Sequence, residues 1–185
     1  NARLLAGERL EEDEIPNAFT EKAAAWQLMA SSLAERGNDE AAVQAIRTAL
    51  EKPDCSFFIL EAYLRFAIRL ATLDEVRVNC RSLLPDHAEI LSDAMSRFDD
   101  RDNTIWASQS PKIASDVIAH LAYGMLLLQR PEQACELIQQ AKMKGDYVPD
   151  VLTRVEVEAM CDLDRWKEVI DRFECAIDTL PDESL

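Results

Sequence analysis

The sequence predicts an all-α domain made of stacked helical hairpins. Three observations carry that expectation. Apolar residues recur at i, i+3, i+4 and i+7 through most of the 185 residues, and the strict alternation of a half-buried strand is scarce. Only four glycines are present (Gly7, Gly37, Gly124 and Gly145), which leaves little material for β-turns or phosphate loops. Four stretches of the chain can also be laid over one another with a register of about 34 residues.

The elements follow in order. Residues 1–14 place Leu4, Leu5 and Leu10 before the acidic run Glu11-Glu12-Asp13-Glu14. They read as a helix that ends a preceding unit or packs on the end of the array, broken by Ile15-Pro16-Asn17. Thr20 is expected to open the next helix, with Glu21 supplying the early negative charge that a helix N-terminus favours. Gly37-Asn38 ends that helix, because glycine takes the left-handed conformation readily, and Asp39 is expected to cap the one after it. Pro53-Asp54 leads into a long apolar helix, Ser56 to Leu70. Its residues Phe57, Phe58, Leu60, Tyr63, Phe66 and Leu70 cover more than one face, which predicts burial on two sides. Leu73 to Leu84 is expected to be its partner.

Pro85 then begins an insertion of about residues 85–110. Within it, His87 to Phe98 reads as a helix with Ala88, Leu91, Met95 and Phe98 on one stripe, and Asp99 to Ser110 as a loop. Proline suits a helix's first turn, where its missing N–H has no intrahelical partner anyway. Lys112 to Leu128 and Glu132 to Met143, split at Arg130-Pro131, form the next hairpin. Helices at about 150–162 and 165–179 form the last.

The second helices align on one small or medium residue. Ala42, Ile46 and Ala49 are matched by Val76, Cys80 and Leu83, by Ala134, Ile138 and Ala141, and by Val169, Phe173 and Ala176. A bulky side chain where two helices cross would force the pair apart. Ala42 to Val76 is 34 residues and Ala134 to Val169 is 35, but Val76 to Ala134 is 58, which is why an insertion is placed between them.

The run Trp26-x2-Met29-Ala30-x2-Leu33, Gly37, Ala42-x3-Ile46-x2-Ala49 and Pro53 resembles a tetratricopeptide unit, with its W-x2-L-G-x2-Y, A-x3-F and P pattern. The resemblance covers roughly residues 20–84 and 112–182 and is best in the first and fourth units. The fourth adds Trp166 before its second helix, where the family often carries an aromatic residue, and closes at Pro181. The second unit lacks both the Trp and the small residue, and the third keeps Ala122 but loses the Trp. The resemblance implies a right-handed α-solenoid of tetratricopeptide-like hairpins with one inserted helix and loop. It implies one domain over 1–185, with units at about 20–53, 55–84, 112–146 and 149–182.

In that family the first helices line a concave face that takes a peptide or helix of a protein partner. Carried over, the face comprises Gln27, Ser31 and Glu35, then Phe58, Glu61, Arg65 and Arg69, then Asp116, Ala119 and Tyr123, and last Arg154 and Glu158. Arginines there could pair with partner carboxylates. Glu61–Arg65 and Arg154–Glu158 equally read as plain intrahelical pairs. Gln27 and Ser31 replace the Lys and Asn with which some members grip a C-terminal carboxylate, so recognition of chaperone tails is not expected. Trp106, in the polar loop of the insertion, is a further candidate contact.

Composition limits the function classes. A formal net charge of −15 opposes binding to phosphate backbones. The five cysteines (Cys55, Cys80, Cys135, Cys161 and Cys175) show no C-x2-C spacing, and they suit an intracellular compartment, cytoplasmic or nuclear. No apolar run has the length of a membrane span. The opening Asn points to a piece of a longer protein. His87 and His120 have no metal-type spacing, the 99–103 acidic run lacks the pattern of a calcium loop, and no catalytic motif is visible, so neither an enzyme nor a cofactor is expected.

The leading expectation is a scaffold or adaptor. Residues 117–150, ending Lys144-Gly145-Asp146-Tyr147-Val148-Pro149-Asp150, also resemble a pentatricopeptide repeat, which would imply an RNA-binding array in organellar RNA processing. Self-association or a structural place in a large complex is a third reading.

Overall fold

A computed structural model describes residues 21–78, 83–98, 111–143 and 150–171. Among these, all regular structure is helical. The helices are α1 (Ala23–Glu35), α2 (Asp39–Leu50), α3 (Phe57–Val78), α4 (Pro85–Ser96), α5 (Pro111–Leu127), α6 (Pro131–Met143) and α7 (Asp150–Asp162). A further helical segment spans 166–171. The chain divides into two compact units, Asn1–Gln109 and Ser110–Leu185.

Both units follow one packing rule. In the first, α1 packs on α2, α2 on α3 and α3 on α4, with a lesser contact between α1 and α3. In the second, α5 packs on α6, α6 on α7, and α5 also touches α7. Successive helices therefore fold back as hairpins, the arrangement of a helical-repeat protein in general.

Three of the turns share one geometry. The chain turns through a left-handed residue at Gly37 (φ 76°), Gln129 (φ 59°) and Asp164 (φ 56°). Each closes its helix with the same backbone hydrogen bond: Asn38 N–H to Leu33 O, Arg130 N–H to Met125 O, and Arg165 N–H to Met160 O. Ala42, Ala134 and Val169 each stand 5 residues beyond the left-handed position, and all three are buried. Nothing lies within 4 Å of a Cβ added at Gly37, so Gly37→Ala costs only the left-handed strain. The expected loss is about 1 kcal/mol, read as a lower urea midpoint.

The expected second hairpin is not formed as predicted. α3 is one continuous helix of 22 residues and has no break near Ala71. Leu70-Ala71-Thr72-Leu73 holds no Gly or Pro to stop it. The Thr72 hydroxyl donates back to Ile68 O at 2.8 Å without interrupting the helix. Val76 therefore does not begin a second helix, and the partner of α3 is α4.

The helix assigned to an insertion is thus the second helix of the pair. Leu91, Ala94, Met95 and Phe98 are buried at the spacing of Ala42, Ala45, Ile46 and Ala49 on α2 and of Ala134, Leu137, Ile138 and Ala141 on α6. Ala42 to Leu91 is 49 residues and Leu91 to Ala134 is 43, so the surplus length lies on both sides of α4.

Two caps differ from expectation by a few residues. Asn38, not Asp39, caps α2, its Oδ1 accepting from Ala41 N–H at 3.4 Å. The first helix starts at Ala23 rather than Thr20, and its leading N–H donates to Asp54 Oδ1 at 3.0 Å. Pro85 opens α4 as predicted. Expectations placed on residues 1–20, Cys80, the 99–110 loop with Trp106, and Phe173, Cys175, Ala176 and Pro181 lie outside the described residues.

Candidate partner-binding surface

Two contacts orient the first helices of the first unit. Asp54, just before α3, caps the start of α1. Arg69 Nη2 donates to Ala34 O, near the end of α1, at 2.8 Å. α1 and α3 therefore run the same way. With equal rise along both, a shift of 34 residues sets Gln27 level with Glu61, Ser31 with Arg65 and Glu35 with Arg69. Burial agrees, because Ala23, Ala30 and Ala34 are matched by Phe57, Leu64 and Ile68.

The structure thus gathers Gln27, Ser31, Phe58, Glu61 and Arg65 onto adjacent stripes of α1 and α3. Ser31, Phe58 and Arg65 are exposed, and Gln27 and Glu61 are half-buried. Phe58 is 54% exposed. Its ring meets Phe57 edge-on at 6.3 Å, and Phe57 meets Phe98 at 6.2 Å, so the exposed ring stands on a packed aromatic base.

The two arginines of α3 differ. Arg69 Nε lies 2.6 Å from Oδ1 of the buried Asp39. That oxygen has no well-directed hydrogen bond, so the contact is Coulombic. With its second bond to Ala34, Arg69 ties α3 to the end of α1 and the start of α2. Arg65 lies 3.8 Å from Glu61 and its side chain is 55% exposed. A pair this loose is worth a few tenths of a kcal/mol, about 0.3, and leaves Arg65 open to a partner.

In the second unit, Tyr123 and Asp116 on α5 are half-buried. Ala119 is buried, so it does not belong to an accessible face as expected. The Asp116 carbonyl meets His120 Nδ1 at 2.8 Å. On α7, Arg154 pairs with Glu158 at 3.0 Å in the open.

Sequence reasoning missed two polar clusters. Tyr63 is fully buried, and its hydroxyl donates to Asp93 Oδ2 at 2.7 Å. Arg97 approaches the same oxygen at 3.3 Å and lies 5.7 Å over the Tyr63 ring. Burial, then the Asp93 bond, pushes the Tyr63 phenol well above its ordinary value. Partial burial alone would raise Asp93, but the Tyr63 hydroxyl and Arg97 hold its carboxyl below the usual range. In the second unit, Lys142 on α6 reaches the buried Glu156 on α7. The Asp93–Arg97 spacing was visible as i,i+4. Its link to Tyr63 depends on pairing α3 with α4, which no sequence spacing revealed.

Among the described residues, no cluster of three or more His, Cys, Asp or Glu is placed to hold a metal ion, and no helix is long and apolar enough to cross a membrane. No family model, curated protein or solved structure matches this chain.

Proposed function

We propose that this chain is a non-catalytic scaffold or adaptor module, a right-handed tetratricopeptide-like stack that binds a segment of another protein across α1 and α3. The observation that carries this reading is the pairing of exposed Phe58 with open Arg65, two turns apart on one rigid helix face. An exposed aromatic and an arginine on one helix face are residue types enriched in binding hot spots. Rigid helices also add little ordering cost on association.

The test is quantitative affinity capture from an extract of the encoding organism, comparing the parent chain with a Phe58→Ala, Arg65→Glu variant. At least one protein should fall by tenfold or more, while Arg154→Glu, in the other unit, leaves its recovery unchanged. Arg69→Glu is a poor probe, because it sets a second carboxylate against buried Asp39. If no protein depends on Phe58 and Arg65, the reading fails. Single-stranded RNA at low salt should not bind a chain of net charge −15; binding that fades with added salt would support the RNA-array alternative instead.

A further inference from the structure

We infer that the chain associates head to tail with further copies of itself, the 166–171 segment of one copy packing on α1 of the next. The argument comes from the places where repeated positions differ in exposure. Shifting α1 by 34 residues onto α3 matches buried with buried and exposed with exposed along the face described above. The match fails elsewhere, as at Met29 against Tyr63, which packs on α4, and it also fails on the side toward the preceding hairpin. Ile59 and Ala62 on α3 are buried, whereas Ala25 is half-buried and Leu28 is 58% exposed. Ala62, Phe66 and Arg69 share that side of α3 by helical spacing, and Arg69 reaches Ala34 and Asp39 of the hairpin before it. It is the side a first helix turns toward the preceding hairpin. On α1 the matching positions hold half-buried Ala25 and exposed Leu28.

The 166–171 segment shows the complementary departure. Counted from the left-handed residue, Val169 matches Ala42 and Ala134, and all three are buried. Ile170 matches Val43 and Cys135, which are buried, yet Ile170 is 54% exposed. Trp166 matches Asp39, which is covered where Arg69 of the next first helix lies over it, and Trp166 is exposed. On α6 the matching flank also faces the next first helix, since Lys142, two turns along from Cys135 on the same side, reaches Glu156 on α7. Trp166 and Ile170 thus form the flank that a second helix turns toward the following hairpin.

The two open flanks are the two halves of an interface the fold already makes between its own hairpins. Both are apolar, and a second copy supplies to each the half it lacks. The contact uses different surfaces on the two copies, so it propagates and does not close as a symmetric pair. Copies of net charge −15 repel, so screening should strengthen the contact.

The test is sedimentation equilibrium of the 185-residue chain across a concentration series in low and high salt. The average mass should rise beyond a dimer with concentration, and more steeply in high salt. Leu28→Asp alone and Ile170→Asp alone should each be monomeric. Their equimolar mixture should give a dimer and nothing larger, because one good interface remains. Leu28→Lys and Trp166→Lys repeat the cross with opposite charge, and circular dichroism verifies folding. A parent chain that stays monomeric throughout, a single variant that still assembles, or a mixture that stays monomeric overturns the inference. Phe58→Ala with Arg65→Glu should leave this association unchanged, so it fails separately from the partner-binding reading.

Discussion

Tyr63→Ala is expected to destabilise the first unit by about 3–5 kcal/mol, the range for removing a large aromatic side chain from a packed interior. Tyr63 is among the largest fully buried side chains, and it joins α3 to α4 through Asp93. Tyr63→Phe keeps the packing and loses only the hydroxyl, so its cost should be about 1 kcal/mol. Urea unfolding followed by circular dichroism at neutral pH measures both. A Tyr63→Ala variant as stable as Tyr63→Phe would mean that α4 is not packed on the ring.

The pH dependence adds a second readout. A tyrosine raised in the folded state favours folding below its unfolded value of about 10. That contribution is lost as pH rises from there through the folded value, because the unfolded chain releases the proton first. Asp93, held low, acts with opposite sign. Its contribution is present above about 3.9 and is lost as pH falls through its folded value. Asp93 and Arg97 are each about one-third exposed, so solvent screening keeps the acid arm small. Tyr63→Phe should remove the alkaline loss and shrink the acid one.

The sequence made some of this architecture readable and hid the rest for identifiable reasons. Ala42, Ala134 and Val169 could be aligned because a turn with one left-handed residue fixes the count from turn to crossing. Gly37 announces such a turn, but Gln129 and Asp164 do not, since neither type needs that conformation. α4 was found as a helix from its stripe and its leading Pro85, yet its role was misread. A 34-residue expectation demanded a break near Ala71, where the residues themselves favour continuation. Of the candidate face, Gln27, Ser31, Phe58, Glu61 and Arg65 were placed by the resemblance, and helical spacing set Glu61, Arg65 and Arg69 on one face. Arg69 shares that spacing, but its long side chain reaches sideways to Asp39, a contact that exists only once α2 and α3 are packed.

Lys142→Met should destabilise the second unit by about 3 kcal/mol, toward the lower end of what breaking a buried ion pair costs. Glu156 on α7 is almost wholly buried, and Lys142 brings the opposing charge from α6. Removing the amine leaves an enclosed carboxylate to its other contacts. The Lys142 side chain is 29% exposed, so water can recover part of the loss, which is why the low end applies. Glu156→Leu combined with Lys142→Met removes both charges and should regain most of the stability, since an apolar pair of similar volume needs no counter-ion. The comparison separates charge from shape. If the double variant is no better than Lys142→Met, the loss comes from packing between α6 and α7 rather than from the lost charge pairing. A neutral single variant would show that the remaining contacts of Glu156 suffice to hold its charge. Denaturant melts of the three chains, fitted with a common slope, decide between these outcomes.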